Sequence, residues 1–200
     1  MSCEERVRVT EIALLSDAWN RLERVTFDYR RNNGTTQMLT REVYHVDDGA
    51  TVLLYDVTRR TVVLIRQFRL PKYLRDGAGY MIEAPAGLIG DASAEERIKA
   101  ETEEEAGYRV STVTKIFEAT MMPGSTNHRV HFFVAPYTQA DKVSNGGGIL
   151  AEGEDIEVIE VEFDEALTMI DRGEIVDGKT IMLLQYARIN LFGTSAVGRN

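Results

Sequence analysis

The sequence predicts an α+β fold, a sheet sandwiched by helices, on three observations. Strand-like runs recur from residue 21 to residue 163. Only three stretches read as helices, and the first carries its own start and stop signals. Glycine-containing turns separate these runs with no repeat or low-complexity tract, so one main core is expected.

Taken in order, Arg21–Arg30 alternates Val25, Phe27 and Tyr29, and residues 38–46 return as its partner. Asn33-Gly34 between them is a type I′ hairpin signal. Asp47-Asp48-Gly49 punctuates the chain before a second pair, residues 51–57 and Thr61–Phe68. Residues 93–107 form a helix, opened by a capping box of Ser93 and Glu96 and stopped by Gly107. Residues 113–119 and 130–135 add strands, and 141–153, rich in glycine, is the clearest mobile loop. A strand at 156–163 alternates apolar with acidic residues. Helices at 164–172, ended by Gly173, and at 180–191 complete the chain.

The helix at 93–107 is the most informative element. Glu101, Glu103, Glu104 and Glu105 crowd its last turn, where the helix dipole presents partial negative charge. Each carboxylate there costs about 0.3–1 kcal/mol before mutual repulsion is counted. Glu101, Glu104 and Glu105 lie at i, i+3 and i+4 on one arc, whereas Glu103 points elsewhere and reads as solvated. Charge runs on helices are ordinarily solvated faces, but this one follows Glu83-Ala84-Pro85-Ala86-Gly87-Leu88-Ile89-Gly90. Backbone carbonyls of such a loop, with carboxylates, suit Mg²⁺ or Mn²⁺. One cysteine, Cys3, and three histidines do not make a thiolate or imidazole cage.

Bulk properties exclude several classes. Two hundred residues, 44% of them hydrophobic, fit a globular domain with a modest extension, divided here as residues 1–46 and 47–200. A formal charge of −9 argues against nucleic acid as a partner. No apolar run is long enough to span a bilayer, and the opening MSCEERVRVTE has no basic-then-apolar signal pattern. With a single cysteine, the reducing cytoplasm is the expected compartment.

Residues 87–108 resemble the Nudix box, the signature of hydrolases that cleave nucleoside diphosphates linked to another group. Glu101, Glu104, Glu105 and Gly107 match its E…EE-x-G core, and the preceding EAPAG is similar to the nucleotide-sugar branch. The spacing from Gly87 to Glu101 is one residue short. Ser93, Ala100 and Thr102 stand where the box has glutamate, arginine and an aliphatic residue. The stretches TVVLIRQFR (61–69), NGGG (145–148), EDIEV (154–158) and DGKT (177–180) extend the resemblance in order along the chain.

The resemblance implies an α/β/α sandwich with a mixed sheet and an N-terminal antiparallel β extension that pairs in a homodimer. It implies Mg²⁺-dependent (alternatively Mn²⁺-dependent) hydrolysis of a nucleotide sugar, GDP-mannose to GMP and mannose 1-phosphate. ADP-ribose hydrolysis is the alternative, and a non-catalytic nucleotide-sugar-binding module a further one. Implied metal ligands are Glu101, Glu105, Glu154 and the carbonyl of Ala86. Glu104 serves directly or through water, and Glu104, Glu105 and Glu154 are implied in catalysis, with Glu152 competing for the role of Glu154. Implied substrate contacts are Arg69, Lys179, Ala86, Gly87 and, from the extension, Trp19, Arg41 and Glu42. Trp19 either stacks on the base or packs as a β-edge aromatic. His128 stands where the relatives usually have glutamate, so it either touches the sugar side or is structural. With Ala100 replacing the box arginine, Arg97, four residues before Glu101, is the candidate to orient the carboxylates.

Overall fold

The computed structural model describes residues 5–193; Cys3 lies outside them. The chain falls into two compact units, residues 1–48 with 119–130, and residues 49–118 with 131–200.

The first unit is built on a three-stranded antiparallel sheet of β1 (Val7–Asp17), β2 (Arg21–Arg30) and β3 (Thr36–Tyr44) in that order. Sequence reading missed β1. Two register shifts, between Val9 and Glu11 and between Leu14 and Ser16, break its alternation. Val7, Val9, Ile12 and Leu14 are all exposed, so no buried face leaves a pattern to read. The turn between β2 and β3 also differs from expectation. A type I′ turn needs positive φ at both central residues, and among the described residues only Arg60 and glycines have it. The chain instead makes a wider loop, in which the Arg31 amide donates to the Thr35 carbonyl at 2.8 Å. Asn33 Oδ1 accepts from the Thr35 amide and hydroxyl. Segment 119–130 joins this unit through the Tyr44 amide, which donates to the Ser125 carbonyl, and the Val46 amide, which donates to Asn127 Oδ1.

The second unit carries most of a seven-stranded sheet. Its central order is β10 (Glu157–Glu162), β5 (Thr61–Phe68), β4 (Gly49–Asp56), β9 (Arg129–Pro136) and β8 (Thr114–Thr120). The short β6 (Tyr80–Glu83) and β7 (Ala86–Leu88) pair with β5 and β4. The pairings of β5 with β4, β6 and β10 are antiparallel. Strands β4 and β9 run the same way: Arg129, at the start of β9, bonds Asp48 just before β4, and the Tyr137 amide meets the Tyr55 carbonyl at their far ends. The sheet is therefore mixed.

Both faces are covered, which is why β4 and β5 read as continuous apolar runs. Val52, Leu54, Val63 and Ile65 pack with Ile98 of helix α2 (Ala94–Ala106) on one face. Leu53, Val62 and Leu64 point the other way and are equally buried. On that side lie α3 (Phe163–Asp171) and α4 (Gly178–Asn190), which pack against β5, β10 and β4. The outcome is the expected α/β/α sandwich. A further helix, α1 (Leu70–Asp76), was not expected; it is seven residues long, buries none of them, and so has no periodic face to reveal it.

Candidate active site

Helix α2 presents an unusual face. Its buried residues are Ile98, Glu101, Thr102, Glu105 and Ala106, the spacing of a core-facing stripe. Two glutamates occupy positions that a sheet-facing helix normally fills with apolar side chains, and they are 5% and 2% exposed. Thr102, at an aliphatic position of the box, satisfies its hydroxyl by donating to the Ile98 carbonyl at 2.6 Å. The helix begins and ends as expected, with a full capping box on Ser93 and Glu96 and a left-handed Gly107. Glu103 is a correction: it is paired in two-pronged fashion with Arg109, at 2.6 and 2.8 Å, rather than simply solvated.

Opposite the two carboxylates runs the segment joining β6 to β7. The Ala86 amide donates to Glu105 Oε2 at 2.9 Å. Gly87 is in contact with Glu101, and a Cβ added there would lie 1.7 Å from Glu101 Oε1. Arg97 pairs with the same Oε1 and stands 4.0 Å from Glu104. Glu154 is half-buried, lies against Gly148 and accepts from the Ile149 amide at 2.8 Å. Glu152 lies exposed on a short 3-10 turn, Leu150–Glu152.

These groups act on one another electrostatically. Burial, then the charge of Glu101, with a further push from Glu154, raises the Glu105 carboxyl to about 8; the Ala86 amide and Arg69 oppose the shift. Glu101 is also raised, chiefly by burial and with help from Glu104 and Glu154, against the pull of Arg97.

The glycine loop is tied down rather than free. Gly147 and Gly148 donate their amides to the carbonyls of Glu105 and Glu104, each at 3.0 Å. They satisfy the C-terminal end of α2, whose orphan carbonyls meet no basic residue in the last turn. A Cβ on Gly146 would meet the Glu105 carbonyl oxygen at 2.3 Å, so this close approach requires glycine.

A second polar group lies at the neighbouring strand end. Arg69 grips Glu83 with two bonds of 2.8 and 3.0 Å, and Glu83 is 2% exposed. Lys179 stands 3.7 Å from Glu83 and 2.8 Å from Asp177, which caps α4 by accepting from Thr180. Asp177 is held below its ordinary range: burial alone would raise it, and the Lys179 charge and the Thr180 donors prevail. Arg66 points elsewhere, pairing with Glu157 and stacking on Tyr80. Sequence reading missed Glu83 and Asp177 as partners of these cations. Glu83 belongs to the α2 face because it sits opposite Ile65.

The remaining predicted contacts, Trp19, Arg41, Glu42 and His128, belong to the first unit. Trp19 is 87% exposed, so it does not pack at a β edge. Arg41 donates to the Thr40 carbonyl, and Glu42 faces Arg24 at 3.7 Å. His128 Nδ1 is bonded to the Asp47 carbonyl oxygen at 2.6 Å.

Among the described residues no three acidic, histidine or cysteine side chains converge as a ready-made metal cage. Each inner carboxylate is instead engaged locally, Glu101 by Arg97, Glu105 by the Ala86 amide and Glu154 by the Ile149 amide. The donor set nonetheless fits a hard divalent cation: carboxylate oxygens, with Glu101 and Glu105 buried and Glu154 half-buried, mutually repelling, Glu101 lying against a glycine with no side chain to intrude.

Comparison with known proteins bears directly on this arrangement. Residues 6–44 match the family profile described as the GDP-mannose pyrophosphatase NudK N-terminal domain. A GDP-mannose pyrophosphatase of Pectobacterium atrosepticum is 48% identical over 184 residues, covering 92% of this chain and 94% of that one. One from Yersinia pestis is 46% identical over 191 residues, covering 95% and 96%. The crystal structure of an ADP compounds hydrolase superposes with a TM-score of 0.68 over 92% of each chain, at 16% identity, and shares the fold. Fold and box together define a Nudix hydrolase. Within that class the chain belongs to the GDP-mannose pyrophosphatase family.

Proposed function

We propose that this protein hydrolyses the pyrophosphate bond of GDP-mannose, giving GMP and mannose 1-phosphate, with Mg²⁺ or, in its place, Mn²⁺. The observation that carries the reading is the pair of buried glutamates on the sheet-facing stripe of α2, opposite Ala86 and Gly87. Two buried carboxylates facing one another destabilise the protein unless a cation or proton compensates. Near-half identity to GDP-mannose pyrophosphatases over almost the whole chain supports the same substrate.

In this reading Glu101, Glu105 and Glu154, with the Ala86 carbonyl, hold the cation, and Glu104 ligates directly or through water. When bound, the cation neutralises diphosphate oxygens and makes water a better nucleophile. The chain's own residues do the rest. Water adds to one phosphorus, the bridging P–O bond breaks, and the leaving phosphate departs with the bond electrons. In this reading Glu154, on the loop joined to α2, takes the proton of the attacking water, and Glu104 and Glu105 assist. Arg69 and Lys179, held at Glu83, supply positive charge for the phosphate groups that do not react.

The extension, residues 1–46, is read as a dimerisation element ahead of a hydrolase domain at 47–200. A second copy would contribute Trp19, Arg41 and Glu42 to nucleotide binding, Trp19 by stacking. The large exposure of Trp19 and of the β1 apolar residues supports this reading. In this reading His128 contacts the sugar side through Nε2, since Nδ1 is bonded to the Asp47 carbonyl oxygen. No helix among the described residues is long and apolar enough to cross a membrane; a cytoplasmic setting rests on the single cysteine.

The test is kcat/KM for GDP-mannose, ADP-ribose and NADH with Mg²⁺, in wild type and His128→Glu. GDP-mannose should rank first, and the substitution should shift its ratio to ADP-ribose, on the order of 10²-fold for a direct polar contact. ADP-ribose ranking first would transfer the assignment to ADP-ribose hydrolysis. An unchanged ratio would make His128 structural.

A further inference from the structure

The geometry assigns Arg97 a positioning role: it locks one oxygen of Glu101 so that the other is presented to the cation. This inference rests on the metal reading above. The two oxygens of Glu101 have different surroundings. Oε1 is pressed against Gly87, where a Cβ would come within 1.7 Å of it, and the same oxygen forms the ion pair with Arg97 Nη2. Both of these contacts fall on Oε1 rather than Oε2. The carboxylate plane is thus set from two sides, by a contact that only glycine permits and by a guanidinium one helical turn away.

Arg97 also stands 4.0 Å from Glu104 and is 34% exposed at its side chain, so one cation lies beside both Glu101 and Glu104. Its Nε is buried without a partner, an expense that a solvated surface arginine would not incur. Ala100 offers no competing charge from the preceding position. The i,i+4 geometry of Arg97 and Glu101 supplies the orienting contact instead. Partners that orient a ligand from behind are commonly worth a 10- to 100-fold change in metal affinity.

Two simple alternatives predict the opposite sign or no effect. If Arg97 merely competed with the metal for the carboxylates, removing it would tighten metal binding. If only its stem mattered, removing the charge would change nothing. The experiment is Mn²⁺ binding, followed by electron paramagnetic resonance and calorimetry, on full-length wild type, Arg97→Met and Arg97→Lys. Melting curves of the metal-free proteins establish that each is folded. The expected result is a Kd weakened about 10- to 100-fold in Arg97→Met, with Arg97→Lys between it and wild type. Binding by Arg97→Met as tight as wild type, or tighter, overturns the proposal. So does Arg97→Lys no better than Arg97→Met, which would return Arg97 to packing. Failure of wild type itself to bind Mn²⁺ would sink the metal reading rather than this contact alone.

Discussion

At position 105 a carboxylate sits where a helix facing a sheet would ordinarily place leucine or alanine. Burial and the neighbouring Glu101 raise it to about 8, well above the roughly 4.3 of a free glutamate. In the metal-free protein the folded state therefore keeps a proton that the unfolded chain has released. Its stabilising contribution is full below pH ~4.3 and is lost as pH rises through about 8. Metal-free wild type should lose melting temperature between pH 5 and 8.5, by about 2–4 °C for each kcal/mol. Glu105→Gln should flatten that slope, melt no lower at pH 8 and abolish turnover. An unchanged pH slope in thermal melts of the variant would contradict the assignment. Much of this was legible in the sequence, because spacing alone puts Glu101, Glu104 and Glu105 on one arc. Glu83 was not. Its role depends on pairing with Ile65 eighteen residues earlier, a register that no local pattern encodes, and on Arg69, from which it is separated in sequence by a helix too short to leave a periodic signal.

Elements were legible in proportion to how much of them is buried. Strands β4 and β5 declare themselves as apolar runs, and α2 by its caps. Strand β1 and helix α1, exposed along nearly their whole length, leave no period to find. The glycine loop shows the opposite error. Its composition reads as mobility, yet its glycines are there because backbone meets backbone: Gly147 and Gly148 close the end of α2, and Gly146 lies against the Glu105 carbonyl. Gly146 also has φ of +65. Gly146→Ala should therefore destabilise the protein by about 1–3 kcal/mol and weaken catalysis by disturbing the loop that carries Glu154. Urea unfolding and steady-state rates check both parts. Wild-type stability and rate in this variant would mean the clamp is not needed.

For the whole molecule, the sequence divides at residue 46 while the structure groups residues 1–48 with 119–130. The return segment was invisible to sequence reading because it joins through isolated bonds, Tyr44 to Ser125 and Val46 to Asn127, rather than through a strand with its own pattern. An exposed β1 face with four large apolar residues is poorly suited to water. Light scattering should report a dimer for the full chain, and deletion of residues 1–46 should give a monomeric or insoluble, inactive product. A soluble monomer of normal activity would refute a role for the extension in the site.

If the buried carboxylates on α2 hold the cation for GDP-mannose hydrolysis, metal and carboxylate must fail together. The most direct measurement is a Mg²⁺ titration of GDP-mannose turnover by wild type and Glu105→Gln after chelator treatment, with both products quantified. The expected result is no turnover without metal, GMP and mannose 1-phosphate in equal amounts once Mg²⁺ is added, and no recovery in Glu105→Gln at any Mg²⁺ concentration. Turnover by the chelator-treated enzyme, or a wild-type rate in Glu105→Gln, would contradict it.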